Sequence, residues 1–116
     1  MDDITQLPYL YLTTMGWRSG QPHEIEIWFI ALEGRYYLIA ERGEQSHWVQ
    51  NLRRQPAITF RVGDQLFKGT ARVVEAAQEP ELHRQVSALS EAKYGWGDGL
   101  VVELTPNTSS QTSQKQ

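Results

Sequence analysis

One loop of this 116-residue chain combines the residue types that bind phosphate. Residues 13–22 read Thr13-Thr14-Met15-Gly16-Trp17-Arg18-Ser19-Gly20-Gln21-Pro22. Glycine-permitted backbone N–H groups, an Arg and a Ser supply the several donors and the bidentate cation that a phosphate monoester requires. The loop therefore predicts a phosphate site at residues 17–20. An ordinary hairpin loop of the same composition is the alternative.

A second candidate feature is a short predicted helix that ends before Pro56. Trp48 and Asn51 are three residues apart, so one aromatic ring and one amide lie on the same helical face. Ser46 is a suitable N-cap, and a helix N-terminus favours anions. The alternative is that Trp48 packs in the core and the basic end of the helix is simply solvated.

Other catalytic arrangements are absent from the sequence. The chain has no cysteine, and its histidines, His23, His47 and His83, lack the spacing of metal ligands. Strand alternation puts the paired carboxylates Glu24 and Glu26 on an outward face, where a solvated role is expected. No metal site is therefore predicted.

Charge and composition restrict the partners. The net charge is −3, which argues against a dedicated nucleic-acid binder. Between Arg42 and Arg72 there are six basic residues and two acidic ones, an excess that suits a small anionic ligand or is a chance cluster on a solvated face. The acidic start resembles no signal peptide, and no apolar run approaches the ~20 residues of a membrane span, so a cytoplasmic protein is expected.

The elements that must position these residues are mostly strands. Alternating apolar residues predict six of them, over residues 9–14, 24–32, 35–40, 57–62, 65–74 and 100–105. Turns are predicted at Glu33-Gly34 and Gly63-Asp64. A longer helix is predicted from Pro80 to Tyr94, with Leu82, Val86 and Leu89 as its apolar stripe.

Six short strands with one inserted helix and two hairpins predict a mainly β fold, a closed or nearly closed antiparallel barrel in one domain of residues 1–105. Closure removes the edges that short strands would otherwise expose. Residues 106–116 are polar and are predicted to be a disordered tail.

Several motifs in order resemble the deazaflavin-dependent nitroreductase family. Residues 12–22 are similar to that family's Thr-Thr-x-Gly-Arg-Lys-Ser-Gly-x-Pro-Arg signature. The segments Ile27-Trp28-Phe29-Ile30, Trp48-x-x-Asn51-Leu52 with Pro56, and Gly69-Thr70-Ala71 follow in the family's order. The resemblance covers about residues 8 to 105.

The resemblance implies a split β-barrel, related to the barrels that bind flavin mononucleotide (FMN), and a loop that holds the cofactor phosphate. Arg18 matches the family's Lys, Ser19 its Ser and His23 its second Arg, whereas Trp17 replaces its first Arg. Compared with the family, the loop therefore lacks one guanidinium, at Trp17, and has an imidazole in place of another, at His23. The cofactor is left open between a deazaflavin (coenzyme factor 420), with its longer acidic tail, and FMN.

The resemblance also implies roles for residues outside the loop. The predicted cofactor-binding residues are Thr14, Trp17, Arg18, Ser19, Gly20, His23, Ile27, Trp28, Ala40, Glu41, Trp48 and Asn51. Tyr94 and Trp96 resemble an aromatic wall on the substrate side, with a cap of the helix end onto the barrel as the alternative.

The predicted function is reduction of a small electron-poor acceptor, of quinone or nitroaromatic type, by hydride from a reduced deazaflavin or flavin. A non-catalytic cofactor carrier on the same barrel is the alternative. An oligonucleotide-binding barrel is a third and weaker reading, against which the net charge argues. Many such barrels form dimers, so a homodimer is expected from the resemblance.

Overall fold

A computed structural model of the chain describes residues 3–107, in which seven strands form one antiparallel sheet. The strands are β1 (Tyr9–Met15), β2 (Pro22–Trp28), β3 (Ile30–Leu32), β4 (Arg35–Ala40), β5 (Ala57–Val62), β6 (Gln65–Val74) and β7 (Leu100–Pro106). The helices are α1 (His47–Arg54) and α2 (Pro80–Tyr94), and short 3₁₀ turns lie at Ile4–Gln6 and Gly43–Gln45.

The sheet order is β2-β1-β5-β6-β7-β4-β3, so β2 and β3 lie at opposite ends. Phe29 alone separates them, and the sheet therefore curls until both edges meet at this one extended segment. The predicted mainly β antiparallel barrel with two helices is confirmed. It has seven strands because the single strand predicted over residues 24–32 divides at Phe29, whose side chain is buried in the core.

Strand alternation explains the core. Along β1 every second side chain, Leu10, Leu12 and Thr14, is buried, which is the pattern of a strand with one inward face. Helix α2 covers a second apolar cluster around Val86 and Val101. A Pro in its first turn starts the helix, and Gly95 ends it in the left-handed conformation, with φ of 79°.

One detail of α2 differs from the prediction. Leu89 is exposed, and Ser90 is buried in its place. The buried face follows Leu82, Val86 and Ser90 at intervals of four residues, and the Ser90 hydroxyl is satisfied because it donates to the Trp96 carbonyl at 2.6 Å.

The ends of the described chain bear on two further expectations. Strand β7 continues to Pro106, which lies beyond the predicted barrel boundary at residue 105. The remainder of the predicted tail, residues 108–116, lies outside the described residues. Across residues 3–107, neither helix combines the length and the hydrophobicity needed to cross a membrane.

Candidate functional site

The loop between β1 and β2 is held in a tight turn by its own backbone. The Gly16 N–H donates to the Gln21 carbonyl and the Gly20 N–H to the Gly16 carbonyl, both at 2.8 Å. A Cβ on Gly16 would lie 2.7 Å from Ser19 Oγ and 2.8 Å from His23 Nε2. Glycine at this position therefore allows a hydroxyl and an imidazole to converge over the loop backbone.

Helix α1 fixes this loop through Asn51. Its Oδ1 accepts the Trp17 backbone N–H at 3.2 Å, and its Nδ2 donates to Thr14 Oγ1 at 3.1 Å. Thr14 and Asn51 are both buried, so the amide satisfies polar groups that water does not reach. The end of β1, the start of the loop and α1 are thereby joined into one unit.

A polar cleft of about 910 Å³ opens beside this unit. It has many hydrogen-bond donors and is lined by Thr14, Gly16, Trp17, Arg18, Ser19, His23, Glu24, Ile25, Arg42, Gln45, Ser46, His47, Trp48, Gln50 and Asn51. Within residues 3–107, neither Arg18 nor Arg42 takes part in an ion pair. Both cations are therefore available to an anion in the cleft.

A second cleft, of about 680 Å³, has a more aromatic and aliphatic lining than the first and adjoins it. It is lined by Tyr9, Glu26, Ile27, Trp28, Ile39, Ala40, Glu41, Arg42, Ser46, Trp48 and Trp96. Because Arg42, Ser46 and Trp48 line both clefts, the two form one groove. The first cleft is its polar half, and the second is its apolar half. Such a groove suits a ligand that has a flat ring at one end and an anionic group at the other.

The predicted cofactor residues lie along this groove, with one exception. Ile27, Trp28, Ala40 and Glu41 line its apolar half, and Trp48 lines both halves. The residues in its polar half are Thr14, Trp17, Arg18, Ser19, His23 and Asn51. Gly20 lines neither half and instead forms the turn, with φ of 72°. The binding roles themselves remain predictions.

The two aromatic residues predicted for the substrate side lie in different places. Trp96 lines the apolar half, whereas Tyr94 lies outside the lining of both halves. The Tyr94 ring stacks on Trp28, with centroids 4.4 Å apart and planes within 4°. Its hydroxyl accepts the Phe29 N–H at 3.1 Å and lies 2.8 Å from the Phe29 carbonyl. These contacts are those of a helix-end cap, the alternative stated for Tyr94.

Lys93 strengthens the same attachment. Its ammonium donates to the carbonyls of Leu7 at 2.7 Å and Phe29 at 3.1 Å, and it lies over the Phe29 ring. Burial lowers the pKa of Lys93 from its ordinary value. The end of α2 thus binds the backbone of Phe29, where β2 passes into β3, next to Trp28 in the chain.

Sequence reasoning missed several lining residues, among them Tyr9 and Ile39, and it expected only a solvated role for Glu24 and Glu26, which also line the groove. Tyr9 faces the groove because the β1–β2 register places it opposite Trp28. Ile39 lies in β4, for which alternation predicts a strand over residues 35–40 but does not indicate a site residue at position 39. Strand alternation shows which residues share a face, but it does not show which face meets the groove.

The predicted excess of positive charge between Arg42 and Arg72 is partly neutralised. Arg53 pairs with Glu44 at 2.5 Å and with Glu75 at 3.3 Å, and the hydrogen bonds that it donates to these carboxylates raise its pKa. Arg72 pairs with Glu79 at 2.6 Å and Glu103 at 2.8 Å. These arginines stabilise the fold locally and do not offer their charge to a ligand.

The curled antiparallel barrel, with a donor-rich loop at one end of a groove that has aromatic walls, is the architecture expected of a split-barrel protein that binds a ligand with a flat ring and an anionic group. The sequence model of the family described as F420H(2)-dependent quinone reductase matches residues 2–98. The chain belongs to this family. The resemblance and the deazaflavin-dependent oxidoreductase class, with a deazaflavin as cofactor, are thereby confirmed.

Solved structures share the fold. The F420-H2 dependent reductase FDR-A is 22% identical, and the match covers 84% of this chain and 93% of that one, with a TM-score of 0.69. Conserved hypothetical protein Rv2991 from Mycobacterium tuberculosis is 24% identical over 90% and 76%, with a TM-score of 0.71. HutZ, the haem storage protein from Vibrio cholerae, is 20% identical over 86% and 82%, with a TM-score of 0.70. No curated protein sequence matches the chain.

The residues of the groove fit a deazaflavin. Its flat ring matches the apolar half, whose walls include Trp28, Trp48 and Trp96. Its phosphate and acidic tail match the polar half, where Arg18 and Arg42 have no carboxylate partner among residues 3–107. FMN, which also joins a flat ring to a phosphate, meets the same donors.

Proposed function

We propose that the protein reduces a small electron-poor acceptor, a quinone or a nitroaromatic, with a reduced deazaflavin bound along the groove. The observation that carries this proposal is the continuity of the two halves, which share Arg42, Ser46 and Trp48. The bound cofactor supplies the hydride, so the protein needs no catalytic triad. The family to which the chain belongs supports the same reaction class.

The residues of the chain bind the cofactor, orient its ring and exclude water from it. Arg18 and Ser19, with His23 beside them, hold the phosphate through charge-assisted hydrogen bonds. Trp28 and Trp48 form walls for the ring and restrict water at the reacting face. Trp96 lies in the same half and bounds the space for an acceptor.

The test is a fluorescence titration of the protein with the deazaflavin and, separately, with FMN, followed by turnover with a simple quinone and a nitroaromatic. Tight binding with turnover supports the proposal. Tight binding without turnover of any acceptor would favour the non-catalytic carrier. Binding of neither cofactor would contradict both.

Arg18→Ala tests the phosphate assignment. Loss of a charge-assisted bond should weaken cofactor binding by about 1.5–3 kcal/mol, or roughly ten- to a hundredfold. Arg84→Ala is the matched control, because Arg84 is an exposed α2 arginine paired with Glu81, away from the groove residues. Equal affinity for the Arg18 variant and the control would remove Arg18 from the site.

We also propose that the protein is a cytoplasmic homodimer. Support comes from the exposed aromatic residues at the mouth of the groove, where Trp28 is 47% and Tyr9 39% accessible in the single chain. Exposed aromatic residues are typical of the centre of protein interfaces. Sedimentation equilibrium measures the mass, and a monomer at micromolar concentration would contradict the dimer.

A further inference from the structure

The indole of Trp17 lies against two guanidinium groups. The Arg18 Cζ is 4.7 Å from the ring centroid, and the Arg54 Cζ is 4.5 Å from it. The backbone of Trp17 is itself fixed, because its N–H donates to Asn51. Arg18 comes from the loop and Arg54 from the last residue of α1, so one aromatic ring gathers cations from two elements.

Arg54 differs sharply from its neighbour in the chain. Arg53 is neutralised by Glu44 and Glu75, whereas Arg54 has no ion pair within residues 3–107. A guanidinium that stacks on an aromatic ring uses its face, and its in-plane N–H groups stay free to donate to oxygen atoms. Arg54 therefore retains both its charge and its donors beside Trp17, which lines the polar half, although Arg54 itself lies just outside that lining.

We propose that Arg54 is a binding residue for the anionic end of the cofactor, and that Trp17 is the positioning residue that holds it there. The proposal rests on the proposed function. At the position where the resembling family has an arginine, this chain has Trp17. The ring brings a guanidinium from α1 against the same indole that Arg18 contacts, so two positive charges gather at Trp17. Arg54 donates to a phosphate or carboxylate oxygen of the cofactor that lies too far from the loop for the loop residues to bind it.

The first experiment compares Arg54→Gln with Arg53→Gln, two neighbouring substitutions that each remove one positive charge. The probes are the deazaflavin, FMN and riboflavin, which has the flavin ring without a phosphate. We expect Arg54→Gln to weaken deazaflavin binding about tenfold, to flatten its salt dependence and to leave riboflavin unaffected. Arg53→Gln should change deazaflavin affinity less than twofold. Equal affinities for the two variants would overturn the proposal.

The second experiment tests the role of Trp17. If the ring acts through Arg54, Trp17→Ala and the double variant with Arg54→Gln should bind the deazaflavin equally weakly, since the effects are not additive. Trp17→Phe keeps an aromatic face and should restore most of the affinity. Fully additive losses would show that Trp17 acts independently of Arg54, on the cofactor itself or through Arg18, which would contradict its role in positioning Arg54.

The controls separate this inference from the proposed function. If the unmodified protein binds no deazaflavin, the proposed function fails. A different outcome is that the unmodified protein binds the deazaflavin with an affinity that Arg18→Ala lowers and Arg54→Gln does not. In that case the assignment of the loop stands and only the role of Arg54 is wrong. Thermal unfolding of each variant shows whether the fold is retained.

Discussion

Asn51 is the residue whose replacement best separates the structure of the site from its charge. Truncation to Ala removes both of its hydrogen bonds and leaves the buried Thr14 hydroxyl without its partner. A buried unsatisfied group costs about 1–3 kcal/mol, and loss of the part-buried bond to the Trp17 N–H costs about 0.5–1.5 kcal/mol. We therefore expect Asn51→Ala to reduce the free energy of unfolding by about 2–4 kcal/mol.

Asn51→Asp is the informative companion. A carboxylate has the same shape, accepts a hydrogen bond from the Trp17 N–H and also accepts one from the Thr14 hydroxyl when that hydroxyl rotates. It places a negative charge in the wall of the polar half, where it repels an anion. The free energy of unfolding should fall here too, because a charge at this buried position loses its hydration, and deazaflavin affinity should fall at least about tenfold.

Urea unfolding followed by tryptophan fluorescence measures stability, and titration with the deazaflavin measures binding. The reasoning about Asn51 would be refuted if the Ala variant were as stable as the unmodified protein. It would also be refuted if the Asp variant bound the deazaflavin with unchanged affinity at pH 7. Riboflavin, which has no phosphate, is the control ligand for the electrostatic effect.

Three further predictions follow from single contacts. Gly16→Ala should weaken FMN binding severalfold with little change in melting temperature, because the new methyl group displaces only the ends of the Ser19 and His23 side chains. An unchanged affinity would show that Ser19 and His23 do not hold the phosphate. Tyr94→Phe should cost about 1–3 kcal/mol of stability by leaving the Phe29 N–H without its acceptor, and a melting temperature equal to that of the unmodified protein would contradict the cap. Burial raises the pKa of Glu103, but the hydrogen bonds to its carboxylate outweigh burial and hold the pKa below its ordinary value of 4.5. The stabilisation by the Glu103 carboxylate is therefore present above pH 4.5 and is lost as the pH falls through the lowered pKa. The difference in free energy of unfolding between the unmodified protein and Glu103→Gln should shrink in acid. A difference that is constant with pH would contradict this prediction.

Local sequence signals predicted most of the elements. The strands Arg35–Ala40, Ala57–Val62 and Gln65–Val74, and the helix Pro80–Tyr94, have the bounds expected from alternation, turn residues and the proline start. These signals act over a few residues, so they can be read directly from the chain. The loop at residues 16–21 is local in the same sense, and it carried the family resemblance that the comparisons confirmed.

The tertiary structure decided what depends on distant partners. Phe29 interrupts a regular alternating segment because the extended chain passes there from one sheet edge to the other, which no local pattern encodes. Arg53 and Arg54 are equivalent in the sequence, yet one is neutralised by Glu44 and the other lies on Trp17. Their environments differ because side chains one residue apart point in different directions on a helix.

Alternation in the sequence by itself thus predicted the mainly β class of fold, and the resemblance of its motifs to a known family implied a deazaflavin or FMN as cofactor. The phosphate role of the loop stays a prediction. Only the tertiary structure joined the loop to α1 through Asn51, whose partners lie 34 and 37 residues away in the chain. It also brought Tyr94 against Phe29 across 65 residues. Contacts over such separations depend on how the sheet closes, and closure is a property of all the strands together.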